Sequence, residues 1–280
     1  MNLLGMVAQV VRIAVPYLFA ASGGALAERS GVISLGLEGY MLAGAFGGTV
    51  GAYYTGSPWA GVACGIGAGL LFALLHALVS LRFRADQVVS GIAINLLVIG
   101  LTRFLLRLFF GSSSNSPRVP GFGVNPLVAL ALATPMAVAW LVYRTPFGLR
   151  VRAAGEHPEA AETLGVRVRR VRLIAVAASG ALAALGGVYL ALDQHQFTDE
   201  MTAGRGFIAL AAVIFGRWDP MRAAVACLLF AAAETVQIQL QGAQAIPSQF
   251  IQMIPYLLTI IALAGVVGRA VPPAALGRAD

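Results

Sequence analysis

Lysine is absent from this chain, and charge of either sign is scarce. Only 11% of its 280 residues are Asp, Glu, Lys or Arg, whereas 59% are hydrophobic. A soluble domain carries about a quarter charged residues, so a water-soluble globule is excluded. The chain also lacks the alternation over about ten residues that marks an outer-membrane barrel strand. Its apolar runs are continuous at helix length, and the mean hydropathy is +0.82. Two cysteines, Cys64 and Cys227, lie inside apolar runs without CxxC or Cys/His spacing. They offer no zinc or disulfide framework and read as small core residues. A basic start and an A-x-A site before a soluble domain are both missing, so no cleavable signal peptide is expected. No G-x-x-x-x-G-K-[ST] occurs either, which removes that route to ATP.

What is present is arginine. All basic residues are arginines, and the net charge is +7. They cluster in short loops between apolar runs, as membrane orientation requires, which argues against a nucleic-acid surface. The fold class expected is all-α, a polytopic transmembrane helical bundle forming one domain over 1–280.

Apolar segments are expected at about Met6–Ala27, at 40–54, and at Trp59–Leu81, Val88–Phe110 and Leu127–Tyr143. Others follow at Leu173–Leu192, up to Leu240, and at Phe250–Val267. Two places break the pattern. Residues 28–39, ERSGVISLGLEG, are Gly-rich and polar, and 206–216 hold only a short apolar run, buried or re-entrant. Placing the 144–172 loop in the cytoplasm also puts Arg29, Arg82, Arg84, Arg217, Arg222, Arg269 and Arg278 inside. The opposite loops keep Arg118 and Arg205, with Arg103 and Arg107 near an outer helix end. That asymmetry gives roughly nine crossings, N-terminus outside and C-terminus inside.

The 144–172 loop is the longest polar stretch, with Glu156, Glu159 and Glu162 between arginines on both sides. Pro158 suits a first helical position, since its missing N–H is unneeded there. Glu159 and Glu162 favour the positive end of a helix dipole, and Gly165 suits the residue just past a helix end. A two-turn helix near 158–164 follows. The VRVRRVR run behind it fits the lipid headgroup level.

Inside the spans, Asn95 needs a partner in hydrocarbon, either a neighbouring helix or a solute. Glu234 and Gln237, three apart, share a helix face. They could line a pathway or form a seam between subunits. Ser34 and Glu38 put polarity on the broken 28–39 segment, which could line a pathway or simply turn the chain. Asp193, His195, Asp199 and Glu200 lack metal-ligand spacing, so no metal is expected. Runs such as GAFGGTVGA and SGALAALGG allow close helix packing.

Glu159-Ala160-Ala161, three residues and Gly165 match the EAA-x3-G signature of permease subunits of ATP-binding-cassette (ABC) importers. Ile174 falls near the signature's isoleucine, and the Leu-Pro ending is absent. SGVISLGLEGYMLAGAFGG, ADQVVSGIAINLL, GEHPEAAETLGV and ALAAVIFGRWDP, in that order, resemble the nucleoside and simple-sugar permeases. Those belong to the ribose and branched-chain amino-acid permease group. The resemblance implies a bacterial cytoplasmic (inner) membrane subunit with a coupling helix at Glu156, Pro158, Glu159, Ala160, Ala161, Glu162 and Gly165. It also implies an ATPase partner that binds ATP and Mg, a second permease chain and an extracytoplasmic solute-binding protein. No cofactor and no catalysis are expected on this chain. The competing expectations are an ion-coupled carrier using Glu234 and, less well supported, a membrane enzyme, for which no nucleophile–base pair is present.

Overall fold

The computed structural model describes residues 3–241 and 271–278. The apolar segment at Phe250–Val267, and Arg269 beyond it, lie outside the described residues. Those described are helical throughout, apart from loops and one isolated antiparallel bridge between Asn115 and Thr198. In order the helices are α1 (Leu3–Arg29), α2 (Leu37–Thr55), α3 (Pro58–Ala77), α4 (Gln87–Phe110), α5 (Pro126–Arg144), α6 (Pro146–Glu156), α7 (Pro158–Thr163), α8 (Val168–Asp193), α9 (Arg205–Phe215) and α10 (Pro220–Gln241). A π-helical turn, Leu78–Arg82, continues α3. Among the described residues, six helices are long and apolar enough to cross a membrane: α1, α3 with its π turn, α4, α5, α8 and α10.

Local chemistry sets the boundaries. Pro58, Pro126, Pro146 and Pro158 each occupy a first helical turn, where a missing N–H costs nothing. Asp86, Asn125 and Thr145 accept hydrogen bonds from backbone N–H groups at the starts of α4, α5 and α6. Gly56 and Gly111 end α2 and α4 in the left-handed region.

The centre is a sandwich of α1, α2, α3 and α8, whose small residues let backbones touch. A Cβ on Gly187 would lie 1.8 Å from the Met41 carbonyl oxygen, and one on Gly44 2.5 Å from the Ala184 backbone. Only glycine fits such a crossing. Gly187→Leu should therefore force α2 and α8 apart and cost above about 3 kcal/mol. The check is the melting temperature of the detergent-purified chain; an unchanged value would contradict the close crossing.

Polar contacts fix depth along the bundle. Arg12 on α1 pairs with Asp193 at the end of α8 (2.9 Å), and Arg103 on α4 pairs with Asp199 (2.8 Å) and Glu200 (2.9 Å). The 111–125 loop is stitched to the same end by Ser116 N–H donating to Phe197 O and Val119 N–H donating to His195 O. Asp193, Asp199 and Glu200 are thus occupied by arginines, and the described residues hold no group of three or more possible metal ligands. At the opposite end sit Arg29, Arg82, Arg84 and the α6–α7 segment.

Candidate coupling surface and translocation pathway

The polar 144–172 segment is two helices rather than a loop with one. The expected two-turn helix is α7, ending at Thr163, with Gly165 at φ +82° just beyond it. There its N–H donates to Glu162 O, and the Val166 N–H donates to Ala161 O, closing the end as a left-handed cap does. The preceding α6 escaped the sequence reading because its arginines masked a buried face of Gly148, Val151, Ala154 and Gly155. Thr145-Pro146, followed by the Gly148 N–H that Thr145 accepts from, was the signal available.

α7 is mounted through Pro158 and Ala161, its two buried residues. Ala161 belongs to an apolar cluster with Leu26 of α1, Val138 and Val142 of α5, Val151 of α6 and Val171 of α8. Its exposed residues include Glu159, Ala160 and Glu162, with exposed Glu156 at the end of α6 before it and Gly165 just past its own end. Leu164, which the sequence reading passed over, is 85% exposed at the helix tip. An exposed apolar tip on a short acidic helix has the form of a small docking knob.

Behind this knob lies Arg172. It fell within the run expected at the headgroups, yet it is 2% exposed. Its guanidinium donates to Ser30 O (3.1 Å), Ala154 O (3.3 Å) and Arg278 O (3.3 Å). The 271–278 tail adds Ala275 N–H donating to Gly155 O (2.8 Å) and Gly277 N–H donating to Gly31 O (3.1 Å). Thus α6, the break after α1 and the tail form one knot beneath α7.

Residues 28–39 are a true helix break, since α1 stops at Arg29 and α2 starts at Leu37. The break is enclosed by protein, where irregular backbone in a membrane protein is tolerated. Its backbone is satisfied from α4: Asn95 donates to Leu35 O and accepts from Gly39 N–H, both at 2.8 Å, while Gln87 accepts from Ile33 N–H. Ser34 is buried, and its N–H donates to Glu28. Both hydrogen bonds of Asn95 thus tie α4 to the backbone of the break and of the first turn of α2.

Two buried acids hold α9 at its ends. Glu38 accepts from Thr202 Oγ1 (2.6 Å), Gly204 N–H (2.9 Å) and Gly206 N–H (2.6 Å), capping the start of α9 from the first turn of α2. Glu28 accepts from Trp218 Nε1 (2.5 Å) just past the end of α9. Arg217 and Trp218 are both left-handed there, and Arg29 Nε donates to Trp218 O. The GRWDP run is thus a latch on the helix break. Residues 194–204 descend without regular structure from the Arg103 ion pairs to Glu38, so α9 begins inside the bundle.

Glu234 on α10 accepts from Tyr17 of α1 and pairs with Arg205 of α9 at 3.1 Å. Tyr17 lies about 8 Å along α1 from Arg12 and about 17 Å from Glu28, on the helical rise of 1.5 Å per residue. The triad therefore occupies the half of the bundle nearer the Arg12 end. Both charged side chains keep about a fifth of their surface accessible, 22% for Arg205 and 21% for Glu234. Gln237, one turn further along α10, is half-buried. The structure groups Glu234 with Gln237. Glu38 caps the two residues that flank Arg205 and so stands next to this group, whereas the polar atoms of Ser34 and Asn95 are taken up by backbone. Tyr17 and Arg205 were missed; neither carries a motif, and only the fold brings them to Glu234.

A sequence model described as "Branched-chain amino acid transport system / permease component" matches residues 6–263. The chain belongs to this permease family. Among its relatives, the guanosine ABC transporter permease protein NupQ of Bacillus subtilis is 40% identical over 94% of this chain and 92% of its own. The nucleoside ABC transporter permease protein NupC of Lactococcus lactis is 36% identical over 97% and 95% respectively. TsgC13 of Haloferax volcanii, provisionally named a glucose ABC transporter permease, is 36% identical over 85% and 78%. A solved ABC transporter in an inward-facing conformation shares the fold, with TM-score 0.54, 17% identity, 92% of this chain and 84% of that one. This permease is thus a multi-pass membrane protein and a transport subunit.

Proposed function

We propose that this permease forms half of the translocation pathway of an ABC importer for nucleosides, in a bacterial cytoplasmic membrane. The observation that carries the reading is α7: a short acidic helix with an exposed Leu164 tip, fixed by Ala161 and the Arg172 knot to α6 and to three long helices, α1, α5 and α8. An ATPase subunit receives that knob. ATP binding draws two ATPase subunits together, each pulling one α7, and the differential stabilisation of the two states reorients the pathway. Relatives named for guanosine and nucleosides, matched over nearly their whole length, support the cargo. Glucose relatives support simple sugars less, because the match covers less of them.

The topology proposed has the Arg12 end outside and the α6–α7 end in the cytoplasm. With α2, the short α9 and the segment near 250–267 counted, it reaches roughly nine crossings. On the outer side, the 111–125 and 193–204 segments offer a surface to a solute-binding protein. A second permease chain completes the pathway.

Glu234, Arg205, Tyr17 and Gln237 line the outer half of that pathway, offering both donors and acceptors to ribose hydroxyls and a base edge. Glu234→Gln should raise the KM for nucleoside uptake about tenfold, the effect of one lost charged hydrogen bond. Its check is uptake of labelled nucleosides and sugars by vesicles holding the assembled importer. An unchanged substrate profile removes Glu234 from the pathway. Accumulation of sugars but not nucleosides overturns the cargo, and uptake without the ATPase subunit would favour a carrier driven by ions.

A further inference from the structure

A groove of about 410 Å³ runs down the outside of the bundle between the end of α3 and the start of α8. Its wall is apolar, made by Leu74, Leu78 and Leu81 on one side and Leu173 on the other. Three arginines, Arg82, Arg169 and Arg170, stand at one end of it. The π-helical turn explains the shape. A π turn adds a residue per winding, and Leu78–Arg82 is where the wall of α3 passes directly into an arginine. Leu78 and Leu173 are 47% and 39% exposed, so the wall is open to its surroundings.

The arginines are not used internally. Arg12, Arg103 and Arg205 each meet a carboxylate within hydrogen-bond distance. No carboxylate pairs with Arg82, Arg169 or Arg170 among the described residues, and their side chains make no hydrogen bond there. A groove with cations at the end and leucines behind calls for a molecule with an anionic head and a hydrocarbon chain. Leu74 to Arg82 cover about 12 Å of helix, within the membrane-crossing segment Pro58–Arg82. That depth is reached by an acyl chain and not by a soluble protein or free phosphate.

We infer that this groove is a binding site for an anionic phospholipid of the leaflet on the α6–α7 side, with its phosphate held by Arg82, Arg169 and Arg170. Basic pockets at the ends of membrane helices hold anionic head groups in this way. The site lies beside α8, whose first turn follows α7, so an occupied groove would brace the coupling surface.

The test places a photo-crosslinking amino acid at Leu78 in the full chain, assembled and in membranes containing phosphatidylglycerol and phosphatidylethanolamine. Irradiated protein is analysed by intact mass. The expected product is a phospholipid adduct enriched in phosphatidylglycerol over its share of the membrane. Losing one arginine weakens that preference about fivefold, and Arg82→Gln/Arg169→Gln/Arg170→Gln abolishes it. The matching lysine variant, which keeps the charges, retains the preference and guards against a folding defect. Three results would overturn the site: adducts that mirror bulk lipid composition, a preference surviving the glutamine variant, or cross-links to another permease or ATPase chain in place of lipid. Loss of the adduct on adding inorganic phosphate at constant ionic strength would also refute a lipid occupant.

Discussion

Glu38→Ala is expected to lower the stability of the permease by about 3–5 kcal/mol, the range for removing one partner of a buried charged network. Glu38 is 6% exposed and accepts from one hydroxyl and two backbone amides. Two of those donors are at the very start of α9, where no intrahelical acceptor exists. Alanine leaves all three donors unpaired, those of Thr202 and Gly206 buried and that of Gly204 partly so. Glu38→Gln keeps the shape and one good acceptor oxygen, so about half the loss is expected. Thermal unfolding of the purified chain measures both. The outcome separates the pathway role expected for Glu38 from the cap seen in the structure: a solute contact would change uptake and spare stability, whereas the helix cap predicts the reverse order of effects.

Leu164→Asp is expected to leave the permease folded and disconnect it from the ATPase partner proposed for it. The side chain is 85% exposed, so little folding energy rides on it. At a docked interface, losing a central apolar anchor costs about 2 kcal/mol or more, about thirtyfold in affinity. Replacing Glu159 should add to this by removing charge from the same exposed side. Gly165→Val acts differently: φ +82° is a conformation that a β-branched residue resists, so the helix end itself is disturbed. Each variant should insert normally while nucleoside-dependent ATP hydrolysis and uptake separate. Undiminished uptake with full ATPase co-purification would defeat the docking role of α7.

These two expectations illustrate what could be read from residue order and what could not. α7 was legible because proline, acids and glycine fall at fixed offsets from one another within eight residues. The membrane class was legible because apolar runs need no tertiary knowledge. α6 was hidden by the arginines on its outer side, since amphipathic faces are blurred when long cations border a short glycine-rich stripe. The roles of Glu38 and Asn95 depend on which backbone atoms lie opposite them, across 166 and 60 positions of chain. No local pattern carries that information. Arg172 was misread as surface because three of its neighbours in VRVRRVR are exposed, while one helical face turns it onto carbonyls that the break and α6 leave unpaired.

The knot beneath α7 has a consequence for the order of synthesis. Its partners are Ser30 and Gly31 near the beginning, Ala154, Gly155 and Arg172 in the middle, and Ala275 to Arg278 near the end. A chain still on the ribosome can insert α1 to α10 and form α7, yet the carbonyls and amides that the tail supplies are missing. The seat on which the ATPase would pull is completed only when residues 275–278 arrive.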